Sequence, residues 1–303
     1  MDMYQKRKMR KNKKMDENPK SLPSTSINWY PGHMAKTKRL IKEMIASIDV
    51  VFEVIDSRVP KSSHIIDLNE FIGNKKIVII FNKYDLCDKK TTDKYVKIYN
   101  DLGYDVIKCD SKNGNDYMKV ITYVKNYMKN INEKRKEKGL LPKKAKCLVV
   151  GAPNCGKSTL INKIVNKKIS QTGNKPGVTK EIITIRINSD MDLVDSPGLL
   201  WPKLESENDA LNLACMSIIK EEIVSTDKMA LHILNKLYNN YKDLYIKYFG
   251  IDYFSLDNLE EIYEIISKKL GIPIRNGEVD YDRINTYILN MIKGEKIKNI
   301  TFE

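Results

Sequence analysis

The sequence predicts an α/β fold, a doubly wound and mostly parallel sheet followed by a small all-α domain, and three observations carry that prediction. Short apolar or β-branched runs at 49–55, 76–81, 105–108, 146–150, 182–187 and 191–194 alternate with helical stretches. Most of them lack apolar-polar alternation, as expected of strands buried on both faces of a parallel sheet. A glycine-rich turn, 151–158, joins the fourth run to a helical stretch, a junction typical of doubly wound sheets. From Glu205 onward the period becomes helical: Ile233, Leu234, Leu237, Tyr238, Tyr241, Leu244 and Tyr245 recur at spacings of three and four, as do Ile284, Tyr287, Ile288, Met291 and Ile292 before Gly294.

Composition bounds the rest. At 303 residues the chain has room for two domains and for a core that needs no disulfides. Hydrophobic residues are 42% and charged residues 30%, which excludes a disordered chain. Cys87, Cys109, Cys147, Cys155 and Cys215 are odd in number and widely spaced, with no C-x-x-C pair, so they read as reduced thiols. The formal net charge of +14 suits a polyanionic partner such as RNA, DNA or an acidic membrane. No run approaches the roughly 18 apolar residues of a membrane span, and residues 1–20 lack the apolar stretch of a secretory signal. A cytoplasmic protein without a membrane partner is expected.

Ten of the fourteen excess charges sit in two short segments: residues 1–20 hold eight basic and three acidic residues, and residues 131–146 hold seven and two. Both are poor in apolar residues, and the second contains Gly139 and Pro142, so they read as an extended tail and an exposed connection. Solvated spacers and direct phosphate contacts are both compatible with this composition.

Gly151-Ala152-Pro153-Asn154-Cys155-Gly156-Lys157-Ser158 has the pattern G-x-x-x-x-G-K-S, with the run 146–150 before it and the helix-spaced Leu160, Ile161, Ile164 and Val165 after it. That context is what a phosphate-binding P-loop requires. The nucleotide is expected along Asn154, Cys155, Gly156, Lys157, Ser158 and Thr159. Backbone N–H groups and a helix N-terminus surround the β-phosphate, Lys157 reaches the β and γ oxygens as a catalytic group, and the Ser158 hydroxyl ligates Mg²⁺.

Asn82-Lys83-Tyr84-Asp85 follows the run 76–81, at the carboxyl end where open α/β sheets bind ligands, and narrows the nucleotide to a guanine nucleotide. The Asp85 carboxylate accepts from guanine N1–H and the N2 amino group, whereas adenine offers an acceptor at N1 and nothing at C2 and leaves the charge unpaired. The stem of Lys83 is placed to cover one face of the base, and Ser111 and Lys112, after the run 105–108, to contact O6. Asp195-Ser196-Pro197-Gly198 follows the run 191–194. There Asp195 holds Mg²⁺ through a water and the Gly198 N–H meets the γ-phosphate, so loss of that phosphate frees the loop. Thr179, in Pro176-Gly177-Val178-Thr179, is the expected second hydroxyl ligand of Mg²⁺.

GTPases ordinarily run from P-loop through switch loops to N-K-x-D, whereas here 82–85 come before 151–158. The domain therefore reads as a circularly permuted P-loop GTPase domain, its original termini joined by the basic segment 131–146. Permutation also puts the loop ending near Gly198 directly before the helical domain, which couples nucleotide state to that domain's orientation.

These motifs, in this order, resemble the YlqF/YawG-type circularly permuted GTPases. The matching residues are Trp29-Tyr30-Pro31-Gly32-His33-Met34-Ala35-Lys36, Asp56-Ser57-Arg58-Val59-Pro60, Asn82-Lys83-Tyr84-Asp85-Leu86, 151–159, 176–179, 195–198 and, near the end, Gly277-Glu278-Val279-Asp280-Tyr281-Asp282. The resemblance covers residues 27–303, with Tyr30 where the family more often has Phe. It implies a GTPase that binds GTP and GDP, docks on the RNA and proteins of an immature large ribosomal subunit, and is released after hydrolysis. It also implies slow hydrolysis by the protein alone, with stimulation by the subunit. The chain then divides into a basic extension 1–26, about which nothing carries over, a permuted GTPase domain 27–204 and a helical ribosome-binding domain 205–303, read as a monomer.

Leu199 and Leu200 follow Gly198, where many GTPases place a water-orienting Gln. The chain thus looks like the hydrophobic-substituted class, in which the family's N-terminal histidine, here His33, is proposed to orient the attacking water or take its proton. A structural His that fixes the turn 29–36 is the other reading, and both stay open. Asn154 resembles the potassium-binding Asn of related GTPases, where K⁺ supplies charge in place of an arginine finger; a loop-stabilising amide is the alternative. A nucleotide-gated RNA-binding scaffold with negligible hydrolysis is the main rival function, and N-K-x-D argues against a second, a small-molecule phosphotransferase.

Overall fold

The computed structural model describes residues 32–112, 114–166, 182–199, 204, 206–220, 223–273 and 279–303, without the side chains of Gly32 and His33. The basic extension 1–26, the motif residues 29–31 and 176–179, Leu200 and residues 277–278 lie outside the described residues.

Strands β1 (Val50–Asp56), β2 (Lys76–Asn82), β3 (Asp105–Lys108), β4 (Ala145–Val150), β5 (Ile183–Arg186) and β6 (Met191–Asp195) form one sheet in the order β3-β2-β1-β4-β6-β5. Each begins and ends within one residue of its expected run. All neighbours are parallel except β5 and β6. The central β1 is buried at all seven positions, which explains its unbroken apolar pattern. At the edge, β5 exposes three of its four residues.

After β1 the chain lays β2 and β3 outward on one side and then returns to place β4 on the other. Strand order therefore reverses between β1 and β4, and the crevice outside the carboxyl ends of such a pair is where open α/β sheets hold ligands. Helices α1 (Gly32–Met44), α2 (Leu68–Ile72), α3 (Lys89–Asp101), α4 (Tyr117–Glu137), α5 (Lys157–Val165) and α6 (Glu207–Cys215) belong to the same unit. Val120, Val124 and Met128 of α4 and Leu160, Ile161 and Ile164 of α5 share one core with Val50, Phe52 and Val54.

The segment 131–146, expected as an exposed linker, is helical as far as Glu137. Val120, Val124 and Met128 are buried at spacings of four, and Ile131 packs against the same core, so the helix continues while its charges face solvent. Lys134, Arg135 and Lys136 fall in its last turn, where they complement the helix dipole. Only 138–144 make the connection. Asn132 grips both the N–H and the carbonyl of Lys143, at 2.7 and 3.1 Å, and Arg135 Nε donates to the Leu141 carbonyl at 2.9 Å.

Chain packing separates residues 224–297 from a sheet-bearing unit that includes residues up to 223 and 298–303. The helical period begins with α6, yet Asp209 and Asn212 of that helix bond to Ser62, at 3.2 and 3.3 Å, and so belong with the sheet rather than with the later helices. The helical unit contains α7 (Thr226–Asn240), α8 (Lys242–Phe249), α9 (Leu259–Leu270) and α10 (Tyr281–Lys293). Ile233, Leu237, Phe249, Ile262, Ile284 and Ile288 are buried in it. His232 is a packing residue there; burial, aided by Lys236, pushes its pKa down to about 4. No described helix is long and apolar enough to cross a membrane.

Candidate nucleotide site

Each parallel strand delivers one motif to the carboxyl rim: β1 leads into 56–58, β2 into 82–85, β3 into 109–112, β4 into the P-loop and β6 into 195–198. Asn82 ties three of these loops together. Its Nδ2 donates to the Cys155 carbonyl at 2.7 Å, and its Oδ1 accepts from Ser111 Oγ at 2.6 Å and Ser111 N at 3.2 Å. The approach requires a glycine at 156. With φ of +98°, Gly156 adopts a conformation costly for other residues, and an added Cβ would lie 2.1 Å from Asn82 Nδ2.

Lys83 makes the second tie. Its Nζ donates to Asp56 Oδ2 and to the Asn154 carbonyl, each at 2.8 Å. Both Lys83 and Asn154 have a left-handed backbone, with φ of 57°, a conformation that costs about 1 kcal/mol or more outside glycine. The bond between them offsets that cost. Asp56 in turn accepts from Arg58 N at 3.1 Å, Nε at 3.0 Å and Nη2 at 2.8 Å. Burial alone would push the Asp56 carboxyl upward, but the charges of Arg58 and Lys83 outweigh it and hold the group far below the usual carboxylate range.

Asp85 is half-buried two residues beyond Lys83, and the Leu86 N–H closes the turn on the Lys83 carbonyl at 2.9 Å. Ser111 uses its hydroxyl to hold Asn82, while the Lys112 N–H caps Asp110 Oδ1 at 2.9 Å and the Lys112 side chain is exposed.

At the phosphate end, Lys157 opens α5 and is buried, its ammonium donating to the carbonyls of Gly151 and Ala152 at 2.9 and 2.8 Å. Cys155 is buried beside it; burial pushes its pKa up and keeps it a thiol, which donates to the Ala152 carbonyl at 2.9 Å. Asp195 is fully buried at the end of β6, in register with Val149 of β4. The loop beyond it lies on the P-loop: Ser196 Oγ donates to the Val149 carbonyl at 2.8 Å and the Leu199 N–H to the Gly151 carbonyl at 3.0 Å. A Cβ on Gly198 would meet Pro153 backbone atoms at 2.9 Å.

Residues 34–205 match the model of the RsgA GTPase family, and residues 146–268 match that of a 50S ribosome-binding GTPase family. The chain is 33% identical over 279 residues to ribosome biogenesis GTPase A of Priestia megaterium, covering 92% of this chain and 96% of that protein. It is 34% identical over 278 residues to ribosome biogenesis GTPase A of Bacillus pumilus, covering 92% and 98%. The chain belongs to the ribosome biogenesis GTPase A family. Its fold is similar to the crystal structure of GNP-bound YlqF from T. maritima, with a TM-score of 0.57 and 24% identity over 88% of this chain and 97% of that one.

Within that family frame, the described residues bring Asn82 and Lys83 against Asn154, Cys155 and Gly156, Ser111 against Asn82, and Gly198 against Pro153. Ser158 and Thr159 lie in the first turn of α5. The hydroxyl of Ser158 and the carboxylate of Asp195 are hard oxygen donors of the kind that Mg²⁺ takes. Thr179 lies outside the described residues, and so does the side chain of His33, whose backbone is in the first turn of α1. The Asn154 amide is oriented by donating to the Ser217 carbonyl at 2.6 Å. Arg58 is the residue that reasoning from the motifs alone misses: it stands in the D-S-R-V-P stretch, but its part in holding Asp56 depends on a fold that brings Lys83 to the same carboxylate.

Proposed function

We propose that the chain is a slow, Mg²⁺-dependent GTPase that docks in its GTP state on an immature large ribosomal subunit and leaves after hydrolysis. The observation that carries this reading is the 2.7 Å bond from Asn82 to the Cys155 carbonyl, which joins the base-reading loop to the P-loop across the inverted chain order. One GTP then spans both loops. Asp85 takes the guanine edge, Lys157 exchanges the carbonyls of Gly151 and Ala152 for the β and γ oxygens, and the Gly198 N–H meets the γ-phosphate. Ser158, Thr179 and, through a water, Asp195 would hold Mg²⁺, which supplies positive charge against the phosphates. Asn154 would hold a K⁺ ion in the same sense. Leu199 is buried and apolar, so in this reading His33 orients the water, and hydrolysis by the protein alone is slow. The net charge of +14 supports docking on ribosomal RNA.

The test is co-sedimentation with precursor large subunits in a non-hydrolysable GTP analogue and in GDP, across a salt series, with turnover followed in K⁺ and in Na⁺. Expected are preferential retention with the analogue, turnover raised by subunits and a severalfold higher rate in K⁺. Equal retention in both nucleotides contradicts the switch. Retention that follows the analogue without any turnover favours the nucleotide-gated scaffold.

A further inference from the structure

The chain leaves the sheet-bearing unit before Val224, builds the helical unit as far as Ile297, and returns with residues 298–303 to the sheet-bearing unit. Ile300, Thr301 and Phe302 are fully buried there. The Ile300 N–H donates to the Leu86 carbonyl at 3.2 Å, and the Phe302 N–H donates to the Arg58 carbonyl at 2.8 Å. Between them Thr301 Oγ1 accepts from the Asp88 N–H at 3.2 Å and meets Thr92 Oγ1 at 2.9 Å, and Thr92 itself donates to the Ser57 carbonyl at 2.9 Å. Beyond these, the Glu303 carboxylate accepts from the N–H groups of Lys61 and Ser62 and from the Ser62 hydroxyl.

The gripped residues explain why the segment matters. Leu86 directly follows Asp85 and closes the Lys83 turn. Arg58 holds Asp56, and Asp56 holds Lys83. The segment that follows the helical unit in the chain thus fastens both supports of the base-reading loop, Leu86 through Ile300 and Arg58 through Phe302.

We propose that residues 298–303 act as a latch that positions Asp85 against the guanine edge, so that base discrimination depends on this segment. The proposal rests on the assignment of Asp85 as the base reader. Two hydrogen bonds to one carboxylate tolerate misplacement of only about half an ångström, so a loosened loop loses the purine edge before it loses the phosphates.

The ratio of inosine diphosphate to guanosine diphosphate dissociation constants reads this directly. Inosine lacks the N2 amino group, so the ratio reports one Asp85 bond and cancels the phosphate contacts and the folded fraction. In the full chain, Thr301→Val and Glu303→Ala are expected to lower that ratio by about ten-fold, as the loss of one aligned hydrogen bond to a charged group would. Glu303→Gln keeps an acceptor for Lys61 and Ser62 and should restore most of it. A ratio unchanged in the Glu303→Ala protein, whose altered side chain is partly exposed and which should fold even if Thr301→Val does not, overturns the latch. Asp85→Asn separates the two levels: if it too leaves the ratio unchanged, the base-reading assignment has failed; if it abolishes discrimination while Glu303→Ala does not, the latch alone has failed.

Discussion

At the base end of the site, Asn82, Lys83 and Asp56 are fixed by side-chain bonds that reach 29, 71 and 27 residues along the chain. At the phosphate end, Lys157 instead bonds the carbonyls of Gly151 and Ala152, six and five residues before it. A loop held this way is organised in advance, and in the proposed base-reading role little ordering cost is left for binding. In the proposed binding mode the P-loop lysine exchanges two carbonyls for phosphate oxygens, so its energy would depend on which phosphates are present. On that proposal, specificity is built into one end and state-sensing into the other.

Breaking the phosphate end should give the largest effect. Lys157→Ala is expected to weaken GDP and GTP binding by about 100-fold or more and to abolish turnover, since a fully desolvated cation at the phosphates is removed. Titration with fluorescent nucleotides measures this. The inosine-to-guanosine ratio should stay at the wild-type value; a collapse of that ratio would show that the two ends are not separable.

Breaking the base end should act first on stability. Arg58→Ala leaves the buried Asp56 with Lys83 as its remaining cation, and removing one partner of a buried ion pair costs about 3 kcal/mol; urea unfolding at neutral pH gives the value. The pH dependence sharpens it. Asp56 titrates below its ordinary value of 3.8 in the folded protein, so its contribution is present above that pH and is lost as pH falls toward the folded value. In Arg58→Ala the folded value is less depressed, and the acid-induced loss that Asp56 contributes should become smaller. An unchanged acid limb would remove Asp56 as the source.

The sheet and its motifs are legible in the sequence because their signals are local. A buried parallel strand is an apolar run, and G-x-x-x-x-G-K-S at the end of 146–150 fixes a strand-turn-helix junction within a few residues. Residues 131–137 are harder to read, because α4 keeps its apolar face at Val120, Val124 and Met128 and its later turns are dominated by solvated charge. The place of α6 depends on Ser62, about 150 residues away. Thr301 meets Thr92 across 209 positions, and no pattern within 298–303 announces that contact. Arg58 is visible as part of a motif, but its work is done through the Asp56 carboxylate on the side chain of Lys83, which no spacing reveals.

The central claim is that residues 82–85 and 151–158, in inverted order, hold one guanine nucleotide between them. Titrating GDP and xanthosine diphosphate into wild type, Asp85→Asn and the Asp85→Asn, Lys157→Ala double variant tests it directly, because an amide at 85 can donate to the C2 carbonyl of xanthine. The expected result is a preference that inverts from GDP to xanthosine diphosphate in Asp85→Asn, with that new binding lost in the double variant. Retained GDP preference, or xanthosine diphosphate bound equally well without the lysine, would contradict a shared site.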